Sequence, residues 1–219
     1  MMKAMIPLDF TYVAYDPSDL MSMVFAIISL TPQVILVVYA TLICSRREAE
    51  SIMMLGGQFA CELVNIYLKR IIKQERPKLY GNGYGMPSAH SQFMAYYVTY
   101  ICLWMLFRVR HFSTRKKLSR ALFLFVLGGL VCYSRVYSDF HSGLQVAAGI
   151  LVGIALGAVW FISIVLLRDL GIIDLLLDTW PARWFYVKDT AGEKASFVRD
   201  EYSEWRRMRM KMKLLIKAE

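Results

Sequence analysis

Two of the three histidines in this 219-residue chain lie in short polar clusters that separate apolar segments. His90 ends the cluster PSAH, His141 ends SRVYSDFH, and a third cluster, KRIIKQERP, occupies residues 69–77. A histidine can attack an electrophile or transfer a proton, and two in one pocket could divide these tasks as one nucleophile and one general acid or base. The clusters therefore predict one catalytic site assembled from three parts of the chain.

The cations of the same clusters favour an anionic substrate. Arg76 and Arg135 carry planar guanidinium groups that match phosphate oxygens, and Lys69 adds a compact positive charge. Ser88 stands where a helix would begin, and the N–H groups of a first helical turn lack acceptors within the helix and attract anions. Serine is also a common helix cap, so Ser88 alone does not distinguish an anion site from a simple helix start.

A zinc site is the alternative interpretation of the two histidines. It lacks a third ligand in the clusters, and the surrounding positive charge would repel a metal cation. We therefore expect no metal and no other cofactor. The third histidine, His111, lies in a basic loop and is interpreted as structural.

Five apolar segments position the clusters. They run from Val24 to Cys44, Ile52 to Ile72, Phe93 to Phe107, about Leu118 to Tyr133, and Leu144 to Leu167. Hydrophobic residues make up 57% of the chain, more than the roughly 45–50% of soluble domains. The first and last segments are long enough to cross a hydrocarbon core of about 30 Å, whereas the third and fourth are short and must either include flanking polar residues or be shielded by protein. We expect an all-α fold, a polytopic transmembrane helix bundle with about five membrane helices, forming one domain over residues 1–219.

The distribution of charge predicts the orientation of this bundle. The chain carries a net charge of +9 without a nucleic-acid-binding pattern, so the expected partner of the charge is membrane lipid. If all five segments span, the three clusters share one side with the N-terminus. The opposite side holds Arg46, Arg47, the basic loop 108–120 and the tail segment WRRMRMKMK, and the positive-inside rule makes that side cytoplasmic. The clusters would then face the lumen or exterior.

The residues after the last apolar segment form a tail. The sequence DLGIIDLLLDTWPARWFY is too interrupted to span, and it could lie at the membrane interface or pack on the bundle. We assign the catalytic core to about 50–168 and the tail to 169–219. The four cysteines lie inside apolar segments without metal-ligand spacing and are expected to be core residues.

The three clusters together resemble the signature of the type 2 phosphatidic acid phosphatase (PAP2) superfamily. This signature reads Lys, six residues, Arg-Pro; then Pro-Ser-x-His; then Ser-Arg, five residues, His. Within the superfamily the chain is most similar to the dolichyl-diphosphatase branch, in GMPSAHSQFM, YSRVY, LGG at 55–57 and KDT at 188–190. The similarity extends from about Asp19 onward. It implies a bundle of the PAP2/acid phosphatase type that removes the terminal phosphate of dolichyl diphosphate without a metal. The reaction would take place on the luminal side of the endoplasmic reticulum, where it regenerates dolichyl phosphate for protein N-glycosylation.

The resemblance also implies a role for each residue of the clusters. His141 would be the nucleophile that forms a phosphohistidine, and His90 the general acid and base. The phosphate-binding residues would be Lys69, Arg76, Ser88, Ala89 and Arg135. Ala89 stands where the superfamily often has glycine. This difference is small and leaves the backbone N–H donor in place.

One position departs further from the superfamily pattern. Four residues after the nucleophilic histidine the superfamily commonly has aspartate, and this chain has Gln145. On a helix continuing from His141, this spacing keeps the side chain within reach, and its amide oxygen can accept the Nδ1–H hydrogen bond. We expect Gln145 to orient His141 without the stabilisation that a negative charge would add.

Two other functions remain open at this point. The chain could be another polyprenyl-diphosphate or phosphatidate phosphatase of the superfamily, or a non-catalytic lipid-binding relative. A polar stripe on the second apolar segment, Gln58, Glu62, Asn65 and Lys69, is expected to face the bundle interior. Its Glu62 could support Lys69 or serve a purely structural hydrogen bond.

Overall fold

The computed structural model describes residues 6–8, 13–77, 83–109, 112–190 and 197–216. They form two compact units, residues 1–189 and 190–219, described separately below. The first unit starts with an antiparallel pair of short strands, β1 (Ile6–Leu8) and β2 (Val13–Tyr15), in which Pro7 is opposite Ala14. Its long helices are α1 (Leu20–Ile28), α2 (Thr31–Arg46), α3 (Ala49–Ile72), α4 (Ala89–Phe107), α5 (Thr114–Tyr137) and α6 (Gly143–Asp169). Two short helices, α7 (Ile172–Leu177) and α8 (Trp180–Trp184), complete it.

Four stretches of the described residues are long and apolar enough to cross a membrane. These are Leu20–Arg46, which contains α1 and α2, together with α3, α5 and α6. The break between α1 and α2 lies at residues 29–30, just before Pro32, whose ring is tolerated only in the first turn of a helix. The predicted all-α polytopic bundle is confirmed, with the small β1–β2 hairpin as an addition.

The remaining long helix, α4, occupies the centre of the bundle. Its 19 residues correspond to about 28 Å, close to the thickness of a hydrocarbon core. Because α3, α5 and α6 all pack against it, its polar residues Ser91, Gln92, Tyr96 and Tyr100 are buried in protein. Both predicted alternatives for the third apolar segment apply: α4 is shielded by protein, and it includes the polar residues that precede Phe93, starting at Ala89 directly after the predicted cap Ser88.

Helices α4 and α6 run parallel at close range because α6 presents a glycine on successive turns. The backbone carbonyls of Ser88, Gln92 and Tyr96 lie against Gly149, Gly153 and Gly157 respectively. A Cβ atom at Gly149 would come within 2.6 Å of the Ser88 oxygen, a distance that real Cβ contacts do not show. Small residues at this spacing allow membrane helices to approach closely, so the stripe fixes the position of α4 relative to α6.

The tail segments differ in their surroundings. In α7 and α8 most apolar and aromatic side chains are exposed, including Trp180 and Trp184, and only Ile173 is buried. This exposure favours the interfacial interpretation of the segment. The second unit contains α9 (Phe197–Ile216), in which Trp205, Met208 and Met212 are exposed beside several basic residues.

Candidate active site

The three polar clusters meet at one end of the bundle. Helices α3 and α5 end there, whereas α4 and α6 begin there. Two hydrogen bonds connect the clusters: the Ser88 N–H donates to the Gln145 carbonyl oxygen at 3.0 Å, and the Gln145 side-chain Nε2 donates to the Glu75 carbonyl oxygen at 2.7 Å. The start of α1 is also at this end, since the Tyr137 hydroxyl donates to Asp19 at 2.6 Å.

His141 is held from two directions in the turn between α5 and α6. Its backbone N–H donates to the Arg135 carbonyl oxygen at 3.1 Å, and its side chain is only 3% exposed. Its Nδ1 lies 3.2 Å from Oε1 of Gln145. An amide oxygen can only accept, so the proton of a neutral His141 is on Nδ1, and Nε2 keeps a free lone pair.

Gln145 makes hydrogen bonds with both ends of its amide group. Oε1 accepts from Nδ1 of His141 and from the backbone N–H of Ser142 at 3.2 Å, while Nε2 donates to Glu75. The Ser142 hydroxyl in turn accepts from the Gln145 N–H at 3.3 Å, which completes a capping box at the start of α6. Rotation of the amide would break these hydrogen bonds, so the Oε1 atom is fixed towards the imidazole.

His90 lies in the first turn of α4 and shares the electrostatic environment of His141. Its charge interacts with those of His141, Lys69, Arg76 and Arg135. His141 interacts with the same three cations. The structure thus brings both imidazoles into the region enclosed by the predicted phosphate-binding side chains.

The cations of the site form no salt bridge in the described part of the chain, where the charge of Glu62 acts on Lys69 from beyond salt-bridge distance. Arg135 is 7% exposed, its guanidinium lies 4.3 Å from the ring of Phe140, and its Nε has no hydrogen-bond partner in the described part of the chain. Arg76 donates from Nε to the Gly83 carbonyl oxygen at 3.3 Å. Among the described residues no salt bridge involves Lys69, Arg76 or Arg135. A group of positive charges without salt bridges to the described residues, in a partly buried site, is suited to an anion.

This environment keeps His141 neutral. Burial, followed by the charges of Arg76 and Arg135, lowers the pKa of His141 to about 4, and the hydrogen bond from Nδ1 to Gln145 opposes this only partly. Burial also lowers the pKa of Arg76. At neutral pH the imidazole is therefore in the form that can act as a nucleophile.

Ser88 occupies the N-cap position of α4 but does not cap it with its side chain. Its hydroxyl makes no hydrogen bond to the first turn and instead accepts from the Ser91 hydroxyl at 3.1 Å. The N–H groups of Ala89 and His90, at the start of the helix, have no acceptors within it. The predicted helix start is thus at the expected residue, while the expected side-chain cap is not formed.

The chain is similar in sequence to known proteins. Residues 34–168, more than half of the chain, match the PAP2 superfamily. The chain belongs to the PAP2 superfamily. A dolichyldiphosphatase of Saccharomyces cerevisiae is 35% identical over 213 residues, covering 93% of this chain and 89% of that protein. Dolichyldiphosphatase 1 of Homo sapiens is 33% identical over 197 residues, 84% of this chain and 82% of the human protein. Dolichyldiphosphatase 1 of Dictyostelium discoideum is 32% identical over 188 residues. No solved structure matches.

One glycine of this PAP2 site was not identified from the sequence. Gly85 is buried beside Gln145, and its N–H donates to the Gln74 carbonyl oxygen at 2.7 Å. A Cβ atom at this position would lie 2.6 Å from Nε2 of Gln145. The signal was present in the sequence GNGYGMP immediately before the second cluster, where glycine permits close approach of the backbone.

Two buried side-chain amides next to the site were not fully predicted from the sequence. Asn65 was predicted only as part of the polar stripe, and Gln92 was not identified. Asn65 donates from Nδ2 to Gln92 Oε1 at 2.8 Å and to the Pro87 carbonyl oxygen at 3.3 Å. Gln92 donates from Nε2 to the Cys61 carbonyl oxygen at 2.7 Å. This network ties α3 to the first turn of α4, and so positions His90 relative to Lys69.

The prediction that the whole polar stripe of α3 faces the interior is wrong for Glu62. Gln58 and Asn65 are buried, but Glu62 is exposed. At about 100° per residue, Glu62 lies about 60° around the helix from Asn65, which places it at the edge of the stripe. His111 lies outside the described residues, which contain no group of three or more potential metal ligands.

Proposed function

We propose that this PAP2 protein hydrolyses dolichyl diphosphate to dolichyl phosphate and inorganic phosphate through a phosphohistidine. The observation that carries the proposal is the fixed, neutral imidazole of His141 among three cations that form no salt bridge with the described residues. The substrate is supported by the names of relatives that align over most of the chain. In this proposal Lys69, Arg76 and Arg135 bind the terminal phosphoryl group.

The first chemical step is attack on the terminal phosphorus. The free lone pair of His141 Nε2 forms the N–P bond as the bridging P–O bond breaks, and dolichyl phosphate leaves with the bond's electron pair. Charge on the three equatorial oxygens is met by the guanidinium groups of Arg76 and Arg135, by Lys69, and by the first-turn amides of Ala89 and His90. Ser88 holds these amides in place through its hydrogen bond to Gln145.

The second step is hydrolysis of the phosphohistidine. His90 accepts a proton from a water molecule, whose oxygen attacks the phosphorus and breaks the N–P bond. Inorganic phosphate is released, and His141 returns to its neutral form with the proton still on Nδ1, held there by Gln145. His90 interacts electrostatically with His141 and with the three cations, which supports its assignment to the same site.

The leaving group limits the need for acid catalysis in the first step. Dolichyl phosphate leaves as a phosphomonoester, whose second pKa is about 6, so it needs little protonation. A monophosphate substrate would release an alcohol, which needs a proton. We therefore assign His90 mainly to activation of water when the substrate is a diphosphate.

The cellular setting belongs to the same proposal. We assign the enzyme to the endoplasmic reticulum membrane, with the site on the luminal side, the basic tail in the cytoplasm, and a role in recycling the lipid carrier for protein N-glycosylation. The names of the relatives and the uneven distribution of basic loops support this assignment. We also keep residues 50–168 as the catalytic core and 169–219 as the tail.

Phosphate release from dolichyl diphosphate by the purified protein in EDTA tests the activity and its independence from metals. We expect turnover in EDTA, no turnover by His141→Ala, and a base-stable, acid-labile 32P label on the wild type after quenching with terminally labelled substrate. Absence of phosphate release with and without added Mg²⁺ would contradict the proposal. Release from phosphatidate but not from dolichyl diphosphate would assign the site to another lipid.

A further inference from the structure

An apolar groove lies near the candidate site. It has a volume of about 420 Å³, within the range of ligand pockets, and lies between α4, α5 and α6. Its lining includes Met94, Val98 and Leu103 from α4, Gly129 and Cys132 from α5, and Ile154 from α6. The groove exists because α5 and α6 each pack extensively on α4 but only slightly on each other.

The groove lies close to the site along α4 and α5. Met94 follows His90 by four residues and Cys132 precedes Arg135 by three, so the groove starts about one helical turn, or about 5–6 Å, from the catalytic residues. It continues to Leu103, about 14 Å further along α4. Its outer edge is open, since Phe125 and Ile154 are both exposed on the face of the bundle.

We propose that this groove binds the isoprenoid chain of the substrate, beginning with the units next to the diphosphate. The inference rests on the proposed function and adds the part of the protein that recognises the lipid. A diphosphate held by Arg135 and His90 has its chain attached at the membrane side, where the groove begins. The apolar lining removes the chain from competing lipid, and the small residues Ala95, Gly128 and Gly129 leave space for methyl branches.

Gly129 offers the sharpest test because its position is open. A Cβ atom at Gly129 meets no atom within 4 Å, whereas one at Gly128 lies 3.4 Å from Val98. A phenylalanine at residue 129 can therefore fill the groove without clashing with the backbone. The adjacent Leu130 is exposed, does not line the groove, and provides a control of the same bulk on the same helix.

The experiment compares kcat/KM of the wild type, Gly129→Phe and Leu130→Phe on dolichyl diphosphate and on isopentenyl diphosphate, which has one isoprene unit. We expect Gly129→Phe to lose roughly tenfold or more on dolichyl diphosphate. It should stay within about twofold of the wild type on isopentenyl diphosphate, as Leu130→Phe should on both substrates. Equal losses of Gly129→Phe on the two substrates, or no loss on either, would overturn the inference.

A second measurement uses the unmodified chain and requires no turnover. Cys102 and Cys132 line the groove, whereas Cys44 is exposed elsewhere on the bundle. Dolichyl diphosphate should slow the labelling of Cys102 by N-ethylmaleimide, inorganic phosphate should not, and Cys44 should label equally in all samples. Protection without phosphate release would sink the proposed activity while supporting the groove. Phosphate release without protection of Cys102 would sink the groove alone.

Discussion

The two ends of the helical bundle each hold an arginine that is largely shielded from solvent, Arg135 buried and Arg168 partly buried, and its electrostatic surroundings differ between them. At the site end, Arg135 is buried against Phe140 and forms no salt bridge among the described residues. At the other end, Arg168 at the end of α6 donates to Glu50 at 2.9 Å and to Asp189 at 2.7 Å. Glu50 also accepts from the Tyr100 hydroxyl at 2.7 Å.

This difference separates structural charge from functional charge. A cation with two carboxylates is electrostatically compensated. Here Arg168, at the end of α6, connects the segment around Asp189 to Glu50 at the start of α3. The same segment is held by the Ala49 N–H, which donates to the Lys188 carbonyl oxygen at 2.8 Å. A buried cation without an acid costs stability unless an anion arrives. This arrangement of charge at the site end supports the proposal that it binds an anionic ligand.

Removal of the uncompensated arginine should have the largest effect on activity. Arg135→Leu eliminates a guanidinium group that meets charge on the transferred phosphoryl group, so we expect kcat/KM to fall by about 10²- to 10³-fold. The free energy of unfolding should stay equal or rise, because an unpaired buried charge is replaced by an apolar side chain. Phosphate release and thermal unfolding in detergent measure the two quantities. A loss of stability with unchanged activity in the folded fraction would contradict the functional assignment.

The mirror substitution at the other end should act on stability. Arg168→Leu removes the guanidinium group that Glu50 and Asp189 share, and we expect the free energy of unfolding to fall by roughly 3–5 kcal/mol. Activity per folded molecule should remain, since no residue of the site is touched. The control combines Arg168→Leu with Glu50→Gln and Asp189→Asn, which removes the unpaired charges and should restore much of the stability. A triple variant as unstable as the single one would show that packing, and not charge, holds this end.

The sequence predicted the meeting of the clusters because it depends only on helix order. Lys69, His90 and His141 each stand at a boundary between a polar cluster and an apolar segment, and alternation of membrane helices brings such boundaries to one end. The boundaries themselves were less accurate. Residues 89–92 are too polar for an apolar segment, yet they form the first turn of α4, where Asn65 donates to Gln92 and the glycines of α6 allow close packing.

The contacts that depend on loop backbone could not be predicted. Gln145 was expected to accept from His141, but its donation to the Glu75 carbonyl depends on the path of the chain after α3. The closeness of Gly85 to Gln145 depends on the same path. Glu62 is exposed because it lies about 60° around the axis of α3 from the buried Asn65. An angular difference of this size is smaller than the width of a polar stripe, so the sequence pattern does not resolve it. Pattern identifies the helices and their polar ends, while the hydrogen bonds between loops require the fold.

The amide of Gln145 can be tested through the acid limb of the pH profile. Neutral His141 is the active form, so kcat/KM should fall as the pH drops through its pKa of about 4 in the free enzyme. Gln145→Glu places a carboxylate beside Nδ1 and should raise this pKa by about one to two units, so activity is lost at higher pH. Gln145→Met removes the hydrogen bond without adding charge and should move the limb slightly the other way. Shifts of equal sign in the two variants would contradict the role of the amide.

Gly85 provides the most local change at the site end. Gly85→Ala adds one carbon where Nε2 of Gln145 is 2.6 Å away, so the amide must move from His141 or from Glu75. We expect kcat to fall by about tenfold with little change in KM, since misplacement of a nucleophile affects the transition state more than ground-state binding. Gly143→Ala is the matched control. A Cβ atom at Gly143 meets nothing within 4 Å, and Gly143 begins α6, the helix that carries Gln145. If Gly143→Ala loses as much activity as Gly85→Ala, the loss comes from replacing a glycine near the site and not from the contact with Gln145.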